Sequence, residues 1–143
     1  MKNVFIVSND KFFLNKKNIY NSNKNTFTIV NCFNKFKKIY LIARESKKKL
    51  SFKDKIGNIK LLNFWSVLKN LKKIYKSKIL VISLTPYNFF ISLILILVGI
   101  NRKNIFLFLR SDGFEEYKIK FGKFGFYIYG FMFFIIKKKL TIL

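Results

Sequence analysis

The sequence predicts an α/β fold with a doubly wound parallel sheet, and three observations carry that prediction. Short runs rich in β-branched residues alternate along the chain with longer stretches of helical periodicity. The strand-like runs are apolar throughout, which is typical of parallel strands covered by helices on both faces. No Pro/Gly/Ser-rich linker and no internal repeat interrupts the 143 residues, so we expect one domain spanning residues 1–143.

Five apolar runs are the predicted strands, and helical stretches separate most of them. In chain order, the strands are Val4–Val7, Ile39–Ala43, Ile59–Leu62, Ile79–Leu84 and Ile105–Leu109. The predicted helices are Thr26–Phe36, Phe64–Tyr75, Pro86–Val98 and Phe121–Ile136. Right-handed crossovers then give a Rossmann-like sheet with the strand order 3-2-1-4-5, and Leu140–Leu143 opens a further strand. The stretch Asn15–Asn25 is predicted to be a loop, and Arg44–Lys55 a charged excursion.

The charge is strongly positive, with 29 Lys and Arg against 6 Asp and Glu and a net charge of +23. Only Arg44, Arg102 and Arg110 among the basic residues are arginines, and Ala43 is the only alanine, as an A/T-rich coding bias would produce. A nucleic-acid-binding module needs exposed stacking aromatics on a basic face. Because the aromatics here lie within apolar runs, we do not expect a nucleic-acid partner.

The absence of histidine and the single cysteine exclude several kinds of site. Histidine-based triads and histidine–zinc sites are ruled out, and Cys32 alone forms neither a disulfide framework nor a thiolate cluster. We expect Cys32 to be a small core residue. Neither the glycine fingerprint of dinucleotide-binding folds nor a P-loop occurs, so the sequence predicts no cofactor-binding residue, no metal site and no identifiable catalytic residue.

The longest charge-free run, Ile79–Ile100, has 22 residues, which is enough to cross a bilayer. Its local chemistry favours a strand followed by a short helix instead. Thr85 is a good N-cap, Pro86 suits the first helical position, and Gly99 suits the end of the helix. The predicted helix is therefore about 20 Å long and too short to span.

Two further interpretations involve the membrane. One is a small integral membrane protein with one or two helices within residues 79–136. The other concerns Phe124–Ile136, which fits either a helix packed on the sheet or an interfacial helix whose lysines meet anionic lipid.

Val4–Val7 is too short for the apolar core of a secretory signal, so we expect a cytoplasmic location.

The best candidate site follows the fifth predicted strand. Three of the six acids, Asp112, Glu115 and Glu116, lie within five residues there. Ligands of open α/β sheets bind outside the carboxyl ends of strands. A purely structural explanation fits these residues equally well, because Asp112-x-x-Glu115 fits a capping box and Arg110 can pair with either glutamate. The structural and the ligand-binding explanations are compatible with each other.

Five segments, VFIVSND, TFTIVNCFNKF, KIYLIARES, ILVISLTPYN and above all IFLFLRSDGFEEYK, resemble the N-terminal half of GT-B glycosyltransferases of the family 4 type. That resemblance implies a domain that faces a glycan or lipid-linked acceptor. The nucleotide-sugar donor would be bound by a C-terminal domain, which we expect to be absent here and supplied, if at all, by a separate polypeptide. The implied acceptor-binding residues are Arg110, Ser111, Asp112, Gly113, Glu115, Glu116, Ser8 and Asn9.

The chain departs from many such relatives in two respects. No glycine-rich loop for donor phosphates follows the first strand, and no histidine is available near the acceptor. We therefore expect acceptor binding without sugar transfer by this chain alone. The resemblance also implies a peripheral location on the cytoplasmic face of a membrane, with an anionic lipid surface as a partner.

Overall fold

The computed structural model describes residues 3–15, 18–55 and 57–143, and it shows an α/β protein with parallel and antiparallel strand pairs. The chain divides into two compact units, Met1–Ile79 (unit 1) and Leu80–Leu143 (unit 2).

Unit 1 combines a parallel sheet with an antiparallel extension. Its strands in the described residues are β1 (Val4–Asn15), β2 (Asn18–Asn21), β3 (Ile39–Glu45), β4 (Phe52–Lys55) and β5 (Ile59–Leu62). Its helices there are α1 (Lys24–Asn31), α2 (Phe64–Lys69) and α3 (Leu71–Tyr75). β3 lies between β1 and β5 and is parallel to both. This confirms the order 3-2-1 predicted for the first three apolar runs, which correspond to β1, β3 and β5. β2 lies antiparallel to β1 and to β4.

The apolar halves of β1 and β3 form the core of unit 1. Val4–Val7 and Ile39–Ala43 are buried along their whole length, as continuous apolar runs predict. Phe5 stacks on Tyr40 with ring centroids 4.5 Å apart, which is a favourable cross-strand aromatic pair.

The expectation of a purely parallel sheet is wrong in unit 1. β1 does not end at Val7; its pairing with β3 shifts register between Val7 and Lys11 and then continues. The predicted loop Asn15–Asn25 contains β2 and the start of α1, with Lys16 and Lys17 outside the described residues. The predicted excursion Arg44–Lys55 contains β4. Both strands have only four residues: β2 pairs with the adjacent β1, whereas the polar β4 is identified only by its pairing with the distant β2.

Two predicted helices of unit 1 are shorter than expected. α1 ends at Asn31, five residues before Phe36, and Cys32 beyond it is exposed and not in the core. The predicted helix Phe64–Tyr75 is divided at Asn70, whose amide Nδ2 donates to the Ser66 carbonyl at 2.7 Å. Asparagine bonds readily to nearby backbone and so interrupts helices.

Unit 2 begins within β6 and alternates strand and helix. Its elements in the described residues are β6 (Lys78–Ile82), α4 (Pro86–Leu97), a 3₁₀ turn (Arg102–Asn104), β7 (Ile105–Phe108), α5 (Gly113–Lys137) and β8 (Thr141–Ile142). β8 pairs in parallel with β7, which confirms the strand predicted at Leu140–Leu143. Thr85 caps α4, with its hydroxyl 3.3 Å from the Asn88 N–H, and Pro86 is the first helical residue. The charge-free run is therefore a strand and a 12-residue helix, not one continuous helix.

α5 is a helical hairpin rather than a straight rod. Gly122 has φ 63° and ψ −154°, which is not helical and is a backbone region that is essentially restricted to glycine. The Phe114 and Phe133 ring centroids are only 5.6 Å apart, whereas 19 residues of straight helix would separate them by about 28 Å. The first arm (residues 113–121) and the second arm (residues 123–137) therefore pack side by side in opposite directions. The helix predicted at Phe121–Ile136 corresponds to the second arm.

Glycine permits the close approach of the two arms. A Cβ at Gly125 would lie 2.2 Å from the Tyr117 carbonyl oxygen, so no larger residue fits there.

Among the described residues, Gly113–Lys137 is the one helix long and apolar enough to cross a membrane by length and composition. Only 22% of its most apolar window is buried.

Candidate functional site

The carboxyl ends of β6 and β7 border a small crevice in unit 2. Just beyond β6, the Ser83 N–H donates to the Phe108 carbonyl of β7 at 2.9 Å. α4 and α5 begin directly after these two strands, so the site has the position at which open α/β sheets bind ligands. Its lining residues are Ser83, Leu84, Thr85, Leu109, Arg110, Ser111, Gly113, Glu116, Tyr117 and Tyr129.

Strained backbone at Ser83 shapes one wall of the crevice. Ser83 has φ 63°, which is unusual for a residue with a side chain. The buried amide Nδ2 of Asn88 donates to the carbonyls of Ile82 at 2.6 Å and Ser83 at 2.9 Å, which stabilises the turn. The Asn88 Oδ1 atom is buried and has no hydrogen-bond partner among the described residues.

Arg110 connects the two strand ends. Its Nε donates to the Ser83 Oγ at 3.1 Å, and the guanidinium group remains exposed. The Ser83 hydroxyl and the Arg110 side chain are therefore held together at the mouth of the crevice, although 27 residues separate them in sequence.

Asp112 caps α5, but the capping box predicted with Glu115 is not the arrangement observed. The Asp112 carboxylate accepts a hydrogen bond from the Phe114 N–H at 2.9 Å. The Glu115 carboxylate instead lies 3.6 Å from the Lys118 ammonium, and Glu116 lies 3.9 Å from that of Lys120. Glu116 lines the crevice, whereas Glu115 lies on the exposed surface of the first arm.

Tyr129, from the second arm, forms the floor of the crevice. Its side chain is 3% exposed and packs directly against Gly113, where an added Cβ would lie 2.0 Å from the ring. The pKa of Tyr129 is raised to about 12, mainly by burial and to a smaller extent by the negative charge of Asp112. Burial and the Glu116 carboxylate also raise the pKa of Tyr117. Both phenols therefore remain hydrogen-bond donors at neutral pH.

The crevice is narrow and is lined by both polar and apolar groups. Its volume is about 30 Å³, which is enough for one hydroxyl-sized group. Arg110, Tyr117 and Tyr129, whose side chains carry hydrogen-bond donors, line it together with Glu116, whose carboxylate is an acceptor. Such a mixture recognises an alcohol, which both donates and accepts hydrogen bonds.

Ser8 and Asn9 lie in unit 1, at the register shift of β1. The Ser8 hydroxyl is buried and 3.2 Å from the Asp10 Oδ2, to which it donates. Thr26 also donates to the Asp10 carboxylate, and the Asn9 carbonyl accepts from the Arg44 Nε at 2.8 Å. These groups therefore have partners within their own unit.

Of the eight acceptor-binding residues predicted from the sequence, four line this crevice: Arg110, Ser111, Gly113 and Glu116. Asp112 and Glu115 belong to the same segment but are not part of the crevice lining, and Ser8 and Asn9 lie in unit 1. Tyr129 was not predicted to be at the site, because no periodicity in the sequence indicates that the chain reverses at Gly122. The closely spaced Gly122 and Gly125 were the available signal, but both fall within the helix predicted at Phe121–Ile136.

Unit 1 contains a larger and more open groove of about 880 Å³, lined by four lysines and no acid: Lys37, Lys72, Lys73 and Lys76. Asn3, Tyr75 and Ser77 also line the groove, but it has no carboxylate to match that of Glu116 in the crevice. No three of His, Cys, Asp or Glu are grouped closely enough to hold a metal ion within residues 3–15, 18–55 and 57–143.

Comparison with known proteins finds no family model, no curated protein and no solved structure that matches this chain. The crevice and its chemistry are therefore the basis for a functional proposal.

Proposed function

We propose that this chain is an acceptor-binding domain of the glycosyltransferase type, with a doubly wound, Rossmann-like fold, and that the crevice holds a hydroxyl group of a glycan acceptor. The observation that carries the proposal is the convergence of Arg110, Glu116 and Tyr129 on one hydroxyl-sized space at the carboxyl ends of two strands. Its location agrees with the segment that most resembles family 4 glycosyltransferases, IFLFLRSDGFEEYK.

The roles of the residues follow from their chemistry. The Tyr129 phenol stays protonated at neutral pH and donates to the acceptor oxygen, while the Glu116 carboxylate accepts the acceptor's proton in a hydrogen bond. Arg110, fixed on Ser83, binds neighbouring sugar oxygens. Asp112 contributes negative charge near Tyr129 and positions α5 as its N-cap.

In this proposal, the acceptor is a glycan or a lipid-linked sugar at the cytoplasmic face of a membrane, and a nucleotide sugar is the donor. The donor and the acceptor hydroxyl must be held in near-attack geometry, which is worth roughly 7–11 kcal/mol of the barrier. Positive groups must also stabilise the leaving diphosphate. The sequence has no glycine loop after the first strand for that purpose, so we expect binding without transfer from this chain alone.

The test is the binding of a panel of mono- and disaccharides, followed by NMR chemical-shift perturbation. Tyr129→Phe keeps the ring against Gly113 and removes only the hydroxyl. We therefore expect at least tenfold weaker saccharide binding, which is a loss of about 1.4 kcal/mol in binding free energy. Asp112→Asn keeps a good N-cap and removes the charge. Lys103→Gln, at the amino end of β7, is the control and should bind like the unmodified chain.

Binding that is unchanged in Tyr129→Phe would show that the crevice is not the acceptor site. The absence of binding by any saccharide at millimolar concentration would contradict the proposed function itself.

A further inference from the structure

The outer face of the second arm of α5 carries a row of exposed aromatic rings. Their spacings of three, four and three residues place them within an arc of about 80° on one helix face. The exposed fractions run from 57% to 72%, which is large for side chains of this kind. This aromatic stripe consists of Phe124, Tyr127, Phe131 and Phe134.

Lysines bracket the aromatic stripe at both ends. Lys123 precedes it, and Lys137 and Lys138 follow it, all exposed. The Lys138 ammonium lies 4.1 Å above the Phe134 ring, so charge and ring belong to one surface. No Asp or Glu occurs anywhere after Glu116.

A shallow pocket of about 270 Å³ adjoins the stripe and is lined by Lys118, Lys123, Phe126 and Tyr127. The Lys118 ammonium also lies 3.6 Å from Glu115, while no carboxylate lines the pocket. Two ammonium groups beside two rings suit a lipid phosphate, whose negative charge the lysines neutralise at headgroup depth.

We propose that the aromatic stripe is a lipid-binding face that docks this chain on an anionic bilayer surface. The second arm has 15 residues and is about 22 Å long, so it is shorter than the roughly 30 Å hydrocarbon core and lies in the plane of the interface. Aromatic rings favour that depth, and flanking lysines add attraction to anionic headgroups.

Charge complementarity selects this occupant over a second copy of the chain. Two copies meeting through the stripe would bring their lysine brackets together, with no acid on either second arm to compensate. An anionic membrane supplies the opposite charge. The inference rests on the proposed membrane location but is independent of glycan binding in the crevice.

The test uses sedimentation with vesicles of phosphatidylcholine alone and of phosphatidylcholine with phosphatidylglycerol. We expect binding to the anionic vesicles that weakens with salt. Phe124→Gln/Phe131→Gln should lower the partition coefficient at least tenfold. Trp65→Gln is the matched control, because Trp65 is 70% exposed but lies in unit 1, and it should change binding less than twofold.

A second measurement reports insertion directly. Trp65 is the only tryptophan, so Phe131→Trp combined with Trp65→Phe places a single probe on the stripe. Its emission should shift to the blue with anionic vesicles and be quenched by brominated lipid.

The outcomes separate the two proposals. Equal vesicle binding by Phe124→Gln/Phe131→Gln, or an unshifted probe on bound vesicles, would overturn the stripe while leaving the membrane location intact. If analytical ultracentrifugation shows that the unmodified chain dimerises, and that variant loses the dimer without losing vesicle binding, the stripe belongs to a second copy and the lipid role is overturned. No binding of the unmodified chain to any vesicle would overturn both the stripe and the membrane location, while saccharide binding tests the crevice separately.

Discussion

The phenylalanines of unit 1 and those of the second arm of α5 differ sharply in burial. Phe5 and Phe12 are fully buried in the sheet of unit 1, whereas Phe124 and Phe131 project from the hairpin. Both regions draw on the same phenylalanine-rich composition, which contains 19 phenylalanines in 143 residues. Composition therefore explains why the rings are present but not where they are left exposed. Large exposed apolar patches mark interaction surfaces, so the exposure itself is the informative property.

Truncating one ring in each region gives the largest contrast. Phe5→Ala removes a buried ring stacked on Tyr40 and should lower the free energy of unfolding by about 3–5 kcal/mol. Phe131→Ala should change it by about 0.5 kcal/mol or less, because the ring is mostly exposed. Urea unfolding followed by circular dichroism measures both. A comparable loss in the two variants would mean that the second arm is buried against something in solution.

The hairpin itself can be tested by alanine at two glycines of the second arm. Gly125→Ala places a methyl group 2.2 Å from the Tyr117 carbonyl oxygen, so the arms must separate, at a cost of about 2 kcal/mol. Gly130→Ala places its methyl group at an ordinary 3.5 Å from Phe114 and should stabilise the helix by about 0.5–1 kcal/mol. If both substitutions stabilise the protein, the arms do not pack together.

The smallest expected effect is the alkaline titration of Tyr129. Its pKa in the folded protein, about 12, lies above the ordinary value of 10.0. The neutral phenol therefore contributes stability that is fully present below pH 10 and is lost as the pH rises towards 12. Relative to Tyr129→Phe, the unmodified protein should lose about 1 kcal/mol of unfolding free energy by pH 11. A constant difference between the two across pH 8–11 would place the phenol in solvent.

The features predicted correctly from the sequence are those fixed by neighbouring residues. The buried strands at Val4–Val7 and Ile39–Ala43 follow from continuous apolar runs. The start of α4 follows from Thr85 and Pro86, which act within a single turn. The grouping of Arg110, Ser111, Gly113 and Glu116 follows from their closeness in the chain, while their role in acceptor binding stays a prediction.

The features that were missed depend on residues far apart in sequence. β4 contains one apolar residue, Phe52, and it is identified only by its pairing with β2, in which Tyr20 lies opposite Lys53. Tyr129 reaches Gly113 only because the intervening chain reverses. Such pairings leave no periodicity in either segment, so pattern analysis does not detect them.

The backbone at Gly122 shows how the torsion angles of a single residue can separate two topologies. A straight helix of 25 residues would be about 38 Å long, and a sliding-window average over its residues scores it as a transmembrane segment. The same amino-acid sequence, with the non-helical backbone at Gly122, forms two arms that are each shorter than the hydrocarbon core of a bilayer. A hydropathy average sums side chains and contains no torsion angles. Under the proposed docking of the second arm, the choice between crossing a membrane and lying on its surface is therefore determined at a residue that has no side chain.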